Sequence, residues 1–184
     1  MPLFETVTDL GDGAEVLRRR RYGRIEVAAG KLLRVDLRPF PKIISAPEIA
    51  FFGGWYHRHR PGDRAWLYYN QPRRFPNFLA LKYVVSARQT RMATVIRGLE
   101  TLDEIARLKR ADALLCDVGN WRISTKLLAR FGWEPHCPSR WHRHYIKRFY
   151  GEYPPPARWI AAGVDSSRLA PRDAATSRGA RRLL

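Results

Sequence analysis

The chain has 184 residues, enough for one domain with a real core, and its 45% hydrophobic and 12% aromatic content excludes a disordered protein. It carries 34 Lys and Arg against 17 Asp and Glu, a formal charge of +17, which points to a polyanionic partner such as nucleic acid, a ribosome, an anionic membrane face or a phosphorylated cofactor. No apolar run approaches the roughly 18 residues of a membrane span, and two cysteines, Cys116 and Cys137, make no disulfide framework; a cytoplasmic setting is expected.

Residues 1–21 read as an N-terminal arm. Their start, MPLFETVTDLGDG, has no basic-then-apolar pattern, so no signal peptide is expected. Arg18 to Arg21 are balanced there by Glu5, Asp9, Asp12 and Glu15, so most of the excess charge falls between Tyr22 and Tyr153. Gly11 and Gly13 break the chain, and a short helix is expected from Ala14 into the arginine cluster. Residues 24–28 and 32–37 alternate as strands, with Ala29-Gly30 turning a hairpin between them. Pro39, Pro41 and Pro47 punctuate the next stretch, where Ser45 can cap a helix carrying Ile49, Phe51 and Phe52.

The middle is rich in strand signals. Ala65 to Tyr69 is one run, and Phe78 to Val85, with its β-branched and aromatic residues, is a stronger one. Met92 to Ile96 is expected to return as a second strand, so that 78–96 form an antiparallel hairpin. The period then changes. Thr101 and Glu104 have capping-box spacing and predict a helix start, with Leu102, Ile105 and Ala106 on one face. Ala113 to Val118 has the near-continuous apolar character of a strand buried on both faces. A helix through Ile123, Leu127, Leu128 and Phe131 should close at Gly132, and Arg143 to Tyr150 should return as a strand. Alternation puts Tyr145, Lys147 and Phe149 on one face of that strand and His144, Ile146, Arg148 and Tyr150 on the other. Residues 154–184, opening on three prolines, are expected to form a flexible Pro-, Ala- and Arg-rich tail.

Antiparallel strands, then helix, buried strand, helix and final strand: over residues 78–150 this order resembles the GNAT acyltransferase superfamily. The late pattern is Asn120, a helix from Trp121 to Phe131, then Gly132-Trp133. The resemblance implies a single α/β (α+β) domain over residues 22–153. Its sheet would be mixed and mainly antiparallel, with about six or seven strands flanked by helices. In that family the fourth strand splays from the fifth, and the pantetheine arm of acyl-CoA lies in the cleft. A loop of the form Q/R-x-x-G-x-G/A then presents amides to the pyrophosphate. With the fourth strand ending at Ile96, Gly98 is the only glycine of that loop. The resemblance then gives Arg97 and Gly98 to the phosphates and Asn120 to the CoA arm, with acetyl-CoA or another acyl-CoA as cofactor and an amine as acceptor. The full glycine signature is absent, and the family's late-helix Tyr aligns near Leu128. No catalytic residue is assigned. Glu100 is a candidate base, and strand backbone near Ala93 to Ile96 a candidate oxyanion donor.

Other constellations compete. His57-Arg58-His59 and His142-Arg143-His144 have metal-ligand spacing, but an arginine inside each pair and the lack of a carboxylate at ligand spacing argue against a metal. Residues 140–150 and 55–60 interleave cations and aromatics, which suits RNA as well as a packed strand with snorkelling arginines. The alternative to an acyltransferase is therefore a non-enzymatic basic protein that binds RNA or the ribosome.

Overall fold

A computed structural model describes residues 3–41, 62–119, 123–137 and 143–155. Eight strands form one sheet: β1 (Glu5–Val7), β2 (Tyr22–Ala28), β3 (Lys31–Arg38), β4 (Arg64–Asn70), β5 (Phe78–Ser86), β6 (Ala113–Asp117), β7 (Glu134–Pro135) and β8 (His144–Arg148). Three helices are described: α1 (Ala14–Arg19), α2 (Met92–Leu108) and α3 (Thr125–Ala129). The strand order is β1-β3-β2-β4-β5-β6-β8-β7, and β5–β6 is its single parallel contact. This is the mixed, mainly antiparallel sheet expected. Among the described residues, no helix is long and apolar enough to cross a membrane.

The β2–β3 hairpin turns at Ala29 and Gly30, both with positive φ (48° and 71°), the conformation a tight two-residue hairpin requires. Within the expected N-terminal arm, the described residues 3–21 pack on the sheet. Glu5, Thr6 and Val7 pair with Leu37, Asp36 and Val35, and Leu17 is fully buried. The short apolar positions Val7, Leu10 and Leu17 carry enough core surface to dock the segment.

One expectation changes. Met92 to Ile96 is not a strand, and the antiparallel partner of β5 is β4. The apolar run is instead the first turns of α2, whose buried positions Thr94, Gly98, Thr101, Leu102, Ile105 and Leu108 recur at helical spacing. Nor does Thr101 start a helix. Its hydroxyl donates to the carbonyl of Arg97 (2.8 Å), the usual outlet for a threonine inside a helix, and Glu104 pairs with Arg107.

Helix α2 packs on the face that carries Ile25, Val35, Leu67, Leu79 and Leu114. Two glycines permit close contact. At Gly98 a Cβ would lie 2.5 Å from Leu67 Cδ1, so the helix rides directly on β4. At Gly23 a Cβ would lie 2.5 Å from the ring of Tyr69, which lies across the glycine from the neighbouring strand. On β8, Tyr145 and Phe149 are buried (3% and 4% exposed) on the face expected. Lys147, between them, donates to Asp103 of α2 at 2.7 Å. Burial raises the Asp103 carboxyl above its ordinary value, against the opposing charge and hydrogen bond of Lys147.

Three substitutions test this packing. Lys147→Met leaves Asp103 buried without its cation and should cost about 3 kcal/mol at neutral pH. A carboxyl whose folded pKa is raised gives up stability as pH climbs through that value. The defect should therefore shrink as pH falls through the raised Asp103 value, as urea melts at neutral and acid pH would show. Gly23→Ala should lose about 1–3 kcal/mol by overpacking against Tyr69. The Tyr69 hydroxyl is buried without a hydrogen-bond partner among the described residues, so Tyr69→Phe should match or exceed the parent in thermal melts.

Candidate functional site

The site begins where two strands part. β5 and β6 pair from Phe78–Ala113 to Leu81–Cys116 and then stop, although β5 runs on to Ser86. Two features drive the separation. Against β4 the register of β5 jumps from Leu81–Tyr69 to Tyr83–Tyr68, leaving Lys82 as the extra residue of a bulge, and bulges bend the strand that holds them. Meanwhile β6 stays zipped to β8 through Asp117–His144, and Val118 N–H continues that ladder to the carbonyl of Arg143 (3.0 Å). β5 thus follows β4, and β6 follows β8. Among the described residues, Lys82 to Ser86 have no paired strand on the β6 side. Val84 in this stretch is 48% exposed, and Met92, just beyond it, is 51% exposed.

The chain leaves β5 through Ala87–Arg91 and enters α2. Arg91 is the extended residue before the helix, with no side-chain cap of its own and no acidic residue in the first turn. The first amides of a helix have no intrahelical acceptor, so those of Met92 and Ala93 present a partial positive charge. Arg88 and Arg91 are exposed beside them. Asp63 steadies the turn. Its Oδ1 accepts from the Arg91 amide (2.9 Å), and the hydrogen bond from Thr94, aided by Arg91, holds its carboxyl below the usual range despite burial. Thr94 Oγ1 also accepts from Gly30 N–H at 2.8 Å, tying the helix start to the β2–β3 hairpin.

The structure does not place the expected phosphate residues in this loop. Arg97 and Gly98 lie about two turns inside α2. The Gly98 amide is spent in the helix ladder, and its missing side chain makes room for Leu67, not for a ligand. Arg97 Nε donates to the Gly30 carbonyl (2.7 Å), and its guanidinium pairs with Glu100 at 3.5 Å, so both lie on α2. Ala93 to Ile96 are helical and offer no strand edge. Asn120, Trp121, His142, the 55–60 patch, the Pro47 helix and residues 156–184 fall outside the described residues. What sequence reasoning missed is Arg88-Gln-Thr-Arg91-Met-Ala93. It leads into and opens α2, with Arg91 as the last residue before the helix. Its backbone there, φ −79°, needs no glycine. The helical spacing of Thr94, Gly98 and Thr101 was the signal available.

On the other wall, Tyr145 pairs across the sheet with Cys116. Its hydroxyl meets Thr125 Oγ1 (2.8 Å) and accepts from Arg143 (2.9 Å), which also donates to the Ile123 carbonyl. Burial works to raise this phenol, but the hydrogen bonds to Thr125 and Arg143 and the charge of Arg143 prevail, and it lies below its ordinary value. Thr125 opens α3, which starts at Ser124, whose Oγ caps the Leu127 amide. The helix closes at Gly132 (φ 78°), as expected, but is shorter than Trp121–Phe131. At the parting ends, His144 Nδ1 stands 3.9 Å from Asp117 Oδ1. Burial, with the Asp117 charge, pushes the Cys116 thiol up to about 12.

No family model and no curated protein matches the chain. Among solved structures it is similar to a nourseothricin acetyltransferase, with 15% identity and a TM-score of 0.37 over 80% of this chain and 99% of that one.

Cys116 should behave as a structural thiol. At pH 8 very little of it is thiolate, so iodoacetamide should label exposed Cys137 first and reach Cys116 only on unfolding, as peptide mass spectrometry would show.

Proposed function

We propose that this chain is an acyl-CoA-dependent N-acyltransferase whose slot between β5 and β6 receives the pantetheine arm. The observation that carries it is the end of β5–β6 pairing at Leu81–Cys116, with β5 continuing to Ser86 and a helix start following directly. A pantetheine arm is thin, carries two amides and ends in a thiol. Its amides can pair with the backbone of Lys82 to Ser86 as a further strand would, and exposed Val84 and Met92 offer it apolar contact. The diphosphate would meet the Met92 and Ala93 amides between Arg88 and Arg91. The phosphate role expected of Arg97 and Gly98 passes in this proposal to that turn, and Asn120, three residues beyond β6, keeps its proposed place beside the CoA arm.

The chemistry needs three things. The acceptor amine must be neutral to attack the thioester carbonyl, and His144, with Asp117 3.9 Å away at the end of β6, is the base this proposal assigns. The developing oxyanion needs an N–H, which the β5 edge beyond Leu81 supplies. The departing thiolate needs a proton, and Tyr145, with its lowered pKa, takes the part that a late-helix Tyr plays in the family. Acceptor amine and acyl group follow from the residues that line the slot mouth.

Acetyl-CoA at about a hundred times its Kd should raise the melting temperature by roughly 5 °C. Arg88→Glu with Arg91→Glu should remove the shift, and Arg97→Gln should keep it. No shift at millimolar acetyl-CoA would end the cofactor proposal.

A further inference from the structure

The other end of the sheet holds a second concave site. A cavity of about 480 Å³ is lined by Arg19, Arg20, Arg21, Tyr22, Arg38, Pro39 and Arg73. It lies where β2 begins and β3 and β4 end, in the row Arg38–Tyr22–Asn70. β4 runs from the α2 end to this one, so its seven residues put the cavity about 20 Å from the slot.

Five arginines line the cavity, and among the described residues one carboxylate, Glu5, pairs with two of them. Glu5 pairs with Arg19 and Arg20, both at 2.9 Å, and the Arg20 hydrogen bond, with the charges of both arginines, holds its carboxyl below the usual range against burial. Among the described residues, Arg21, Arg38 and Arg73 have no carboxylate within ion-pair distance. Arg38 lies over the Tyr68 ring at 5.8 Å. Clustering like charges this way costs free energy unless a counter-charge arrives.

The backbone that carries them is clamped. Lys109, just past the end of α2, donates through Nζ to the carbonyl of Arg20 (2.6 Å), the carbonyl of Arg18 (3.2 Å) and Gln71 Oε1 (3.0 Å). Gln71 N–H donates to the Arg21 carbonyl at 2.8 Å, and Arg18 Nε donates to the Leu108 carbonyl at 3.2 Å. The carbonyls of Arg18, Arg20 and Arg21 are thus fixed to α2 and to the end of β4, and that holds the Arg21 guanidinium at the cavity. Guanidinium forks match phosphate oxygens in pairs. One orthophosphate would leave most of this charge uncompensated.

We propose that this cavity binds a ligand with two or more linked phosphates, held by Arg21, Arg38 and Arg73. The chemistry is shared by a compact oligophosphate and by the backbone of a single-stranded RNA, and Tyr22 on the cavity wall offers either a hydroxyl or a ring face.

The test uses the full chain, with inorganic tripolyphosphate in calorimetry and a labelled oligouridylate in fluorescence anisotropy. Arg38→Glu with Arg73→Glu should weaken tripolyphosphate at least about tenfold. Lys126→Glu with Arg130→Glu, the same change of charge on exposed side chains elsewhere, should change it less than about threefold. If the pocket pair also loses the oligouridylate and tripolyphosphate displaces it, the source is a nucleic-acid backbone. If only tripolyphosphate depends on the pocket, the source is a compact oligophosphate. Arg73→Gln, an exposed side chain whose loss should not disturb folding, should weaken binding in the same direction and guards against a misfolded double variant. Equal weakening by the two charge-matched pairs, or no tripolyphosphate binding at low salt, overturns the assignment. Failure here leaves the acetyl-CoA shift untouched, because the two sites share no residue.

Discussion

The short parallel contact between β5 and β6 is the constraint on which this molecule is organised. Four residue pairs join the strands, and then each is claimed by its other neighbour. β4 takes β5 through the bulge at Lys82, and β8 takes β6 as far as Val118. A sheet with unbroken β5–β6 pairing would leave Lys82 to Ser86 no open edge on the β6 side. α2 offsets the weakness of so few rungs. It packs on the larger wing through Gly98 and Leu67, and reaches the smaller one through Asp103 and Lys147.

The same helix orders both ends of the sheet. Its start turns the amides of Met92 and Ala93 toward the slot, with Asp63 and Thr94 fixing the turn. Its end hands over to Lys109, which fixes residues 18–21 behind the arginine cavity. The helix dipole suits both jobs, with unsatisfied amides at the first end and carbonyls that receive Arg18 at the second. The large positive charge is therefore not spread evenly. On β2, β3 and β4 much of it is matched, as in Arg24, Arg34 and Arg64 around Asp36 and Glu26. At the cavity Glu5 matches Arg19 and Arg20, and among the described residues Arg21, Arg38 and Arg73 have no such carboxylate.

Much of this was legible in the residues. Alternation at 24–28, 32–37, 65–69 and 78–85 located four strands, and the Ala29-Gly30 turn, the Gly132 cap and the facing of Tyr145 and Phe149 follow local rules that tertiary packing did not override. The failure at Met92 to Ile96 has a clear cause. A five-residue apolar window has too few turns to separate a period of 2 from 3.6, and Thr101 with Glu104 imitated a cap ten residues beyond the real one at Arg91. That one error drew the expected phosphate contacts to Arg97 and Gly98, inside α2, and away from the turn that precedes the helix. A parting of two strands was expected only through the resemblance and was placed after Ile96; the bulge at Lys82 was not readable, because a bulge is set by cross-strand register, and register is a property of pairs. The arginine cavity was hidden for the same reason: residues 19–21, 38 and 73 meet only once three strand ends are brought together.

The joint between the wings also bears on how the chain reaches its fold. β2 to β5 are mostly hairpin neighbours, and β6 to β8 lie within a short stretch, so each wing can assemble from nearby sequence. Their union must wait for α2 to cross over and bring Leu114 beside Leu79, since loop closure is paid before such a contact rewards it. The four rungs of that seam are thus expected to zip after the wings that carry them.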